Sequence, residues 1–366
     1  MITNNPVSTK SRAFRLVKPG EVVETVLEHP IPQDFVVVKP DLASICHADM
    51  RYYMGNRRPE ALARKLPMAL IHEGIGHVVD SNNTSLKEGT RVVIVPNIPG
   101  YLLNGTSPDD CCPYCRGVAG ANYCTNGRFL SSGFDGLAQD RLVVPVSCAI
   151  PVPDDVPDEI AVLSELCSVS HQALSRIEDR LRDSNTRVVV FGDGPVGYLS
   201  AAMLHHVFGL DADRLHVFGA IPEKLNEFQF ATRHLVQDFD FSSIEGFDVA
   251  VECTGGKFSE SAINQAIDLM NRGGSLILMG VTEERVPINT RDVLEKGLTL
   301  IGSSRSYSVD YHPVLKAMRD PKCQETLGRL LPDHYKQIHE VKDFVAAMDE
   351  AAAHRDWKKT YLQFHW

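Results

Sequence analysis

Cys46-His47-Ala48-Asp49 sets a thiol, an imidazole and a carboxyl within four positions, and His72-Glu73 supplies a second imidazole and carboxyl further along the chain. Thiolate, imidazole and carboxylate are the donors that suit Zn²⁺, and a catalytic zinc takes three protein ligands while keeping one position open. Cys46 and His72 are the first two candidates. Glu165, in the apolar stretch around Ser164-Glu165-Leu166, is the candidate third, because an unpaired carboxylate there would be costly. His72-Glu73 does not open a metalloprotease helix: the next histidine, His77, stands five positions on, where HExxH requires four. Taken singly, each of these residues has a commoner structural reading as a buried thiol or a satisfied histidine.

Nine cysteines are present, and Cys111, Cys112, Cys115 and Cys124 crowd into one short segment. In a reducing compartment such a cluster points to metal before disulfides. Four thiolates are enough for a closed tetrahedral structural zinc, with Cys112-x-x-Cys115 as its stronger half. Adjacent Cys111 and Cys112 are awkward as joint ligands, so Asp109 is an alternative for the first place, with Cys111 spare. A cysteine-rich loop without metal is the bland reading.

Gly192-Asp-Gly194-Pro-Val-Gly197 lies between the strand-like run Arg187–Phe191 and an apolar helical run. In that setting the first glycine makes the tight turn, the second lets backbone approach a pyrophosphate and the third lets helix pack on strand. Selectivity between the two nicotinamide dinucleotides is set at the end of the next strand, where an acid would take the ribose 2′-hydroxyl. Leu215–Phe218 ends instead in Gly219-Ala220, followed by Glu223 and Lys224. With no acid to repel a 2′-phosphate and Lys224 to meet it, NADPH is the expected cofactor. The opposing reading gives Glu223 the acid's role.

These groups need two kinds of support. Up to about residue 150, short strand-like runs (Phe14–Val17, Val22–Val26, Phe35–Val38, His77–Val79, Arg91–Val95, Arg141–Val144) are broken by Gly and Pro, which predicts a barrel-like β domain with functional loops. Asp158 to Leu181 then reads as one long apolar helix. Beyond it, Arg187–Phe191, Val196–Val207, Leu215–Phe218, Asp248–Glu252, Ser259–Met270 and Ser275–Met279 alternate strand and helix, the pattern of a doubly wound parallel sheet. A chain of 366 residues fits two domains. Its 37 Lys+Arg against 47 Asp+Glu give a net charge of -10, so the electrostatic footprint of a general nucleic-acid binder is missing. No apolar run approaches the roughly 18 residues of a membrane span, and Met1 to Phe14 lacks the layout of a secretory signal. The expected location is cytoplasmic.

Together these residues resemble the zinc-dependent medium-chain dehydrogenase/reductase family of alcohol and polyol dehydrogenases, over nearly the whole chain. Cys46-x-x-Asp49, His72-Glu73-Gly74-x-Gly76, the four-cysteine lobe, the glycine fingerprint and Glu252-Cys253-Thr254-Gly255 carry the likeness. Within that family, Arg51-Tyr52-Tyr53-Met54-Gly55, Leu66-Pro67-Met68-Ala69-Leu70-Ile71-His72-Glu73-Gly74 and the run from Val293 to Ser306 resemble the bacterial ribulose-5-phosphate reductases.

The resemblance implies an α/β fold, with a GroES-like catalytic domain (1–154 and 303–366) around a Rossmann dinucleotide-binding domain (155–302) and the active site in the cleft between them. It implies that Cys46, His72 and Glu165 hold a catalytic zinc, that Asp49 orients His72, and that Glu73 is an alternate ligand or a support behind it. The implied reaction is reduction of D-ribulose 5-phosphate by NADPH, supplying CDP-ribitol for teichoic acid or capsule. A homodimer or homotetramer and a functional link to a ribitol-5-phosphate cytidylyltransferase are implied as well. Arg51, with Arg305 behind it, is the expected phosphate ligand. Ala48 stands where alcohol dehydrogenases carry a Ser or Thr that passes a proton, so the proton must come from bound water or from His47. The rival reading is an NAD-dependent dehydrogenase of free polyols of the sorbitol or xylitol type. A regulatory NADPH-binding protein on the same fold is a rival of another class.

Overall fold

The computed structural model describes residues 7–82, 84–117, 120–241, 246–353 and 357–366. The chain forms two compact units: Met1–Glu165 with Ser306–Arg319 and Leu331–Trp366, and Leu166–Arg305 with Asp320–Leu330.

In the first unit a seven-stranded sheet runs in the order Ala149–Pro151, Arg91–Ile94, Glu73–Asp80, Phe35–Ser44, Tyr361–Phe364, Lys336–Ile338, with Leu142–Pro145 also pairing Phe35–Val38. Phe35–Ser44 is its central member because Phe35 to Val38 and Leu42 to Ser44 are buried. Antiparallel pairing with Glu73–Asp80 sets Ser44 opposite Glu73, which brings the chain just before Cys46 beside His72-Glu73. Glu21–Pro30, Ser8–Lys18 and Met68–Ala69 make a separate three-stranded sheet. All six strand-like runs expected here are strands, most of them longer than the sequence pattern marks.

The second unit is a six-stranded, wholly parallel sheet in the order Thr232–Leu235, Leu215–Gly219, Val188–Phe191, Phe247–Glu252, Met270–Leu278, Thr299–Gly302. Val188–Phe191 is buried at every position, as a strand covered on both faces must be, and its apolar run reflects that. Phe191 stacks on Phe218 of the neighbouring strand with ring centroids 4.9 Å apart, fixing the strand ends that carry the glycine loop.

The single helix expected over Asp158–Leu181 is instead three: Asp158–Ala161, Ser164–Ser175 and Glu178–Leu181. The chain turns at Val162 and Leu163, and Ile177 leaves the helical region at φ -127°, ψ 23°. Residues 155–165 stay with the first unit, where Arg91 pairs with Asp158 and the Tyr361 hydroxyl donates to the Glu159 carbonyl at 2.7 Å. Residues 320–330 join the second unit, where the Tyr198 hydroxyl donates to the Thr326 carbonyl at 2.8 Å. These units differ from the boundaries at 154 and 302 that the family resemblance implies.

Candidate active site and metal centres

Cys46 caps the helix His47–Tyr53, and Asp49 sits in its first turn, where one carboxylate oxygen accepts the Cys46 N–H at 3.1 Å. The other oxygen accepts the Ile71 N–H at 3.1 Å, takes a hydrogen bond from the Ser131 hydroxyl and lies 3.3 Å from His72 Nδ1. Ser131 Oγ is itself 3.2 Å from Nδ1. This network fixes the imidazole plane and leaves Nε2 as the ring nitrogen for a metal, which is how a carboxylate behind a histidine ligand works. Ile71 and Ser131 both hold positive φ (73° and 61°), strained for a β-branched residue above all, and both are tied to Asp49.

Glu73 is fully buried, and Lys359 Nζ lies 2.8 Å from its Oε2 while donating to the Ile45 carbonyl at 3.1 Å. The metal-binding atoms of Cys46, His72 and Glu73 lie within 4.8 Å of one another. Among the described residues no group donates a hydrogen bond to Glu73 Oε1, although it is buried. A buried carboxylate oxygen without a donor, beside a thiol and an imidazole, is the arrangement a zinc ion would complete. The expected ligands were Cys46, His72 and Glu165, with Glu73 as an alternate ligand or a support behind it. The group within 4.8 Å contains Glu73, because the pairing of Ser44 with Glu73 draws that residue alongside Cys46.

Glu165, buried in the first turn of Ser164–Ser175, is pushed up to about 7 by burial, against the pull of His72. Burial also pushes the Cys46 thiol up, with the Glu73 charge adding to it. Burial works against protonation of His72, but Asp49 and Cys46 outweigh it and carry the ring well above the ordinary imidazole range. Lys359 and Ser131 were missed by sequence reasoning. Neither belongs to a motif, and Lys359 is 314 positions from the carbonyl it binds.

In the cysteine lobe all four sulfurs lie within 4.8 Å of one another, with Cys112–Cys115 at 3.5 Å and Cys111–Cys124 at 3.6 Å. Asp109 is exposed, and Cys111 takes the place proposed for it. Cys111 closes the short helix Pro108–Cys111 and Cys112, extended at φ -161°, ψ 163°, caps the next, Pro113–Arg116, and both sulfurs reach one centre. A cage of four thiols fits a structural zinc.

The glycine loop has the expected geometry. Gly192 has φ 129°, a Cβ on Gly197 would lie 2.0 Å from the Gly192 carbonyl oxygen, and a Cβ on Gly194 would meet nothing within 4 Å. At Gly219 the sequence reading needs correction. Asp193 extends across to it, and its Oδ2 accepts the N–H groups of Ala220 and Ile221, both at 2.7 Å. A Cβ on Gly219 would be 2.9 Å from that oxygen, so a carboxylate does stand at the end of this strand, delivered by the glycine loop. Lys224 is half-buried in Pro222–Leu225, and Glu223 is exposed. Glu252 is structural: its carboxylate accepts the N–H groups of Thr254, Gly255 and Gly280.

Arg51 is half-buried in the last turn of His47–Tyr53, where burial and the neighbouring Arg57 lower its pKa. Arg305 is exposed at the end of a segment of the second unit, with φ 64°.

A family model for the alcohol dehydrogenase GroES-like domain matches residues 32–154, and one for zinc-binding dehydrogenases matches residues 215–320. Ribulose-5-phosphate reductase 1 of Staphylococcus aureus is 39% identical over 359 residues, covering 97% of this chain and 99% of that protein. The ribulose-5-phosphate reductase of Bacillus spizizenii is 35% identical over 355 residues, again 97% and 99%. The solved structure of S. aureus TarJ in complex with NADPH matches with a TM-score of 0.81 at 33% identity, over 98% of this chain and 100% of that one. The expected fold class, GroES-like plus Rossmann, is borne out. The chain belongs to the zinc-binding medium-chain dehydrogenase/reductase family, in the group of the ribulose-5-phosphate reductases.

Proposed function

We propose that this protein is an oxidoreductase that reduces D-ribulose 5-phosphate to D-ribitol 5-phosphate with NADPH and zinc. The observation that carries the reading is the group of Cys46, half-buried, with buried His72 and Glu73, oriented by Asp49 and Ser131, in a chain alike over 97% of its length to a ribulose-5-phosphate reductase. Zinc bound there supplies Lewis acidity to a carbonyl oxygen, and NADPH supplies the hydride. Cys46 and His72 would hold the metal, and Glu73 and Glu165 are the two carboxylates that would compete for the third place. Asp49 keeps the His72 ring in position. C2 of the ketose gains the hydride and its oxygen gains a proton; with alanine at 48, that proton comes from water or from His47, which is exposed at the start of its helix.

The glycine loop would hold the NADPH pyrophosphate, and Lys224, near the end of Leu215–Gly219, would meet its 2′-phosphate. The Asp193 carboxylate at that place favours the rival NAD-dependent polyol dehydrogenase. Its charge, however, is already engaged by two amide donors.

The described residues contain no helix long and apolar enough to cross a membrane, and we place the enzyme in the cytoplasm. The edge strand Thr299–Gly302 is open to pairing, and Leu294 nearby in sequence is 79% exposed, which suits a homodimer or homotetramer. A ribitol-5-phosphate cytidylyltransferase is the functional partner, toward CDP-ribitol for teichoic acid or capsule. The reaction is tested with NADPH deuterated at the transferred position. Deuterium on C2 of ribitol 5-phosphate is expected, and an unlabelled product contradicts the hydride step.

A further inference from the structure

Lys65, Tyr52 and Ser132 form a closed triangle in the first unit. Lys65 Nζ donates to the Tyr52 hydroxyl at 2.8 Å and to Ser132 Oγ at 2.7 Å, and the two hydroxyl oxygens are 3.1 Å apart. The Arg57 guanidinium lies over the Tyr52 ring, 4.7 Å from its centroid. Burial pushes the Tyr52 phenol up, but Lys65 and Ser132 outweigh it and the net shift is downward. Among the described residues no carboxylate pairs with Lys65, whose polar contacts are to neutral oxygens.

The triangle adjoins the metal group through two segments. Tyr52 lies on the helix that Cys46 caps, six residues on, which is roughly 9 Å along the axis. Ser132 directly follows Ser131, the residue bonded to Asp49 and in contact with His72 Nδ1. In a 2-ketopentose 5-phosphate, six bonds of about 1.5 Å separate the C2 oxygen from phosphorus, a staggered reach of roughly 7 Å. That reach is comparable with the spacing along the helix. Lysine binds phosphate as a point charge with three donors, and Tyr and Ser hydroxyls add donors that reorient freely. The stem of Lys65 packs at Gly133, where a Cβ would meet its Cγ at 3.3 Å, so the ammonium group is held in place.

Resting on the reading of the protein as a ketose-phosphate reductase, we infer that Lys65, with Tyr52 and Ser132, holds the substrate phosphate and sets the preference for phosphorylated substrates. Arg57, over the Tyr52 ring, and Arg51 beside it add positive charge near this triangle. The bland alternative is a purely structural tie between the helix Pro59–Lys65 and the loop at Ser132.

The test compares zinc-replete wild type, Lys65→Met and Lys65→Arg on D-ribulose 5-phosphate and D-ribulose, with inorganic phosphate as an inhibitor. Lys65→Met should lower the ratio of kcat/KM for the phosphorylated over the free ketose by roughly tenfold to a hundredfold, the loss expected for charge-assisted hydrogen bonds. The change should fall mainly on KM. Lys65→Arg should restore most of the ratio, and inorganic phosphate should compete with ribulose 5-phosphate more weakly in Lys65→Met than in wild type. Equal losses on both ketoses overturn the inference and leave a structural tie. A shift confined to the KM for NADPH also overturns it, by assigning the site to a cofactor phosphate. If wild type favours the phosphorylated ketose and Lys65→Met keeps that preference, the inference alone fails. A wild type indifferent to the phosphate overturns the functional reading along with it.

Discussion

Lys359 Nζ and Glu73 Oε2 form a 2.8 Å ion pair with the Glu73 side chain fully buried and the Lys359 side chain nearly so. The pair lies against the cysteine and histidine of the candidate catalytic centre, and Glu73 and Cys46 together hold Lys359 charged despite its burial. The strand Tyr361–Phe364, paired antiparallel with Phe35–Ser44, brings Lys359 there from the far end of the chain.

Breaking this pair on one side leaves a buried charge without a partner, which costs about 3–5 kcal/mol. Lys359→Met should lose stability on that scale in chemical denaturation at pH 7. Adding Glu73→Gln to it should recover most of the loss. A single substitution that costs under about 1 kcal/mol would show that Glu73 is balanced by something other than Lys359.

Asp193 presents a carboxylate beside the place expected for the cofactor 2′-phosphate. Asp193→Asn keeps an acceptor oxygen for the two loop amides and removes the charge, so NADPH should bind roughly fivefold tighter, about 1 kcal/mol, with NADH little changed. Titration of the free protein with each nucleotide measures this. Weaker NADPH binding would place the phosphate elsewhere. Gly219→Asp is a poorer probe, since its Cβ would lie 2.8 Å from that of Asp193.

His216 lies between Arg187 and His234 with its ring edge-on to Phe247, and burial, then Arg187, pushes it down to about 4. In the unfolded chain a histidine titrates near about 6.5. Above that value the ring is neutral in both states and contributes no pH dependence. Between 6.5 and 4 the unfolded chain binds a proton that the folded one refuses, so stability falls as pH falls. The urea midpoint should drop from pH 7 to pH 5, and drop less in His216→Phe. Equal drops in both would remove His216 as a cause.

Short-range patterns were the legible part of this protein. The glycine fingerprint, Cys46-x-x-Asp49 and the Cys112-x-x-Cys115 half of the cysteine lobe each lie within one loop or about one helical turn, so spacing alone reveals their geometry, whereas the place of Cys111 was decided only by the fold. Alternating apolar runs marked the parallel sheet, because each strand is buried on both faces. What stayed hidden depends on distant segments meeting. Strand register decides that Glu73, expected only as an alternate ligand, sits in the tight metal group, and a late strand delivered Lys359. Asp193 reaches the end of another strand, and Ser131 reaches Asp49 across 82 positions. The helix expected over Asp158–Leu181 failed for a related reason: its apolar periodicity continues through the turn at Val162 and Leu163, next to a segment tied to the first unit by Tyr361, and through the break at Ile177.

The most direct test of the account follows nicotinamide oxidation by zinc-replete protein, offering NADPH or NADH with D-ribulose 5-phosphate or D-ribulose. Rapid turnover with NADPH and the phosphorylated ketose, and slow turnover with the other three pairs, is the predicted result. Turnover with NADH and the free sugar would contradict it and assign the protein to the polyol dehydrogenases.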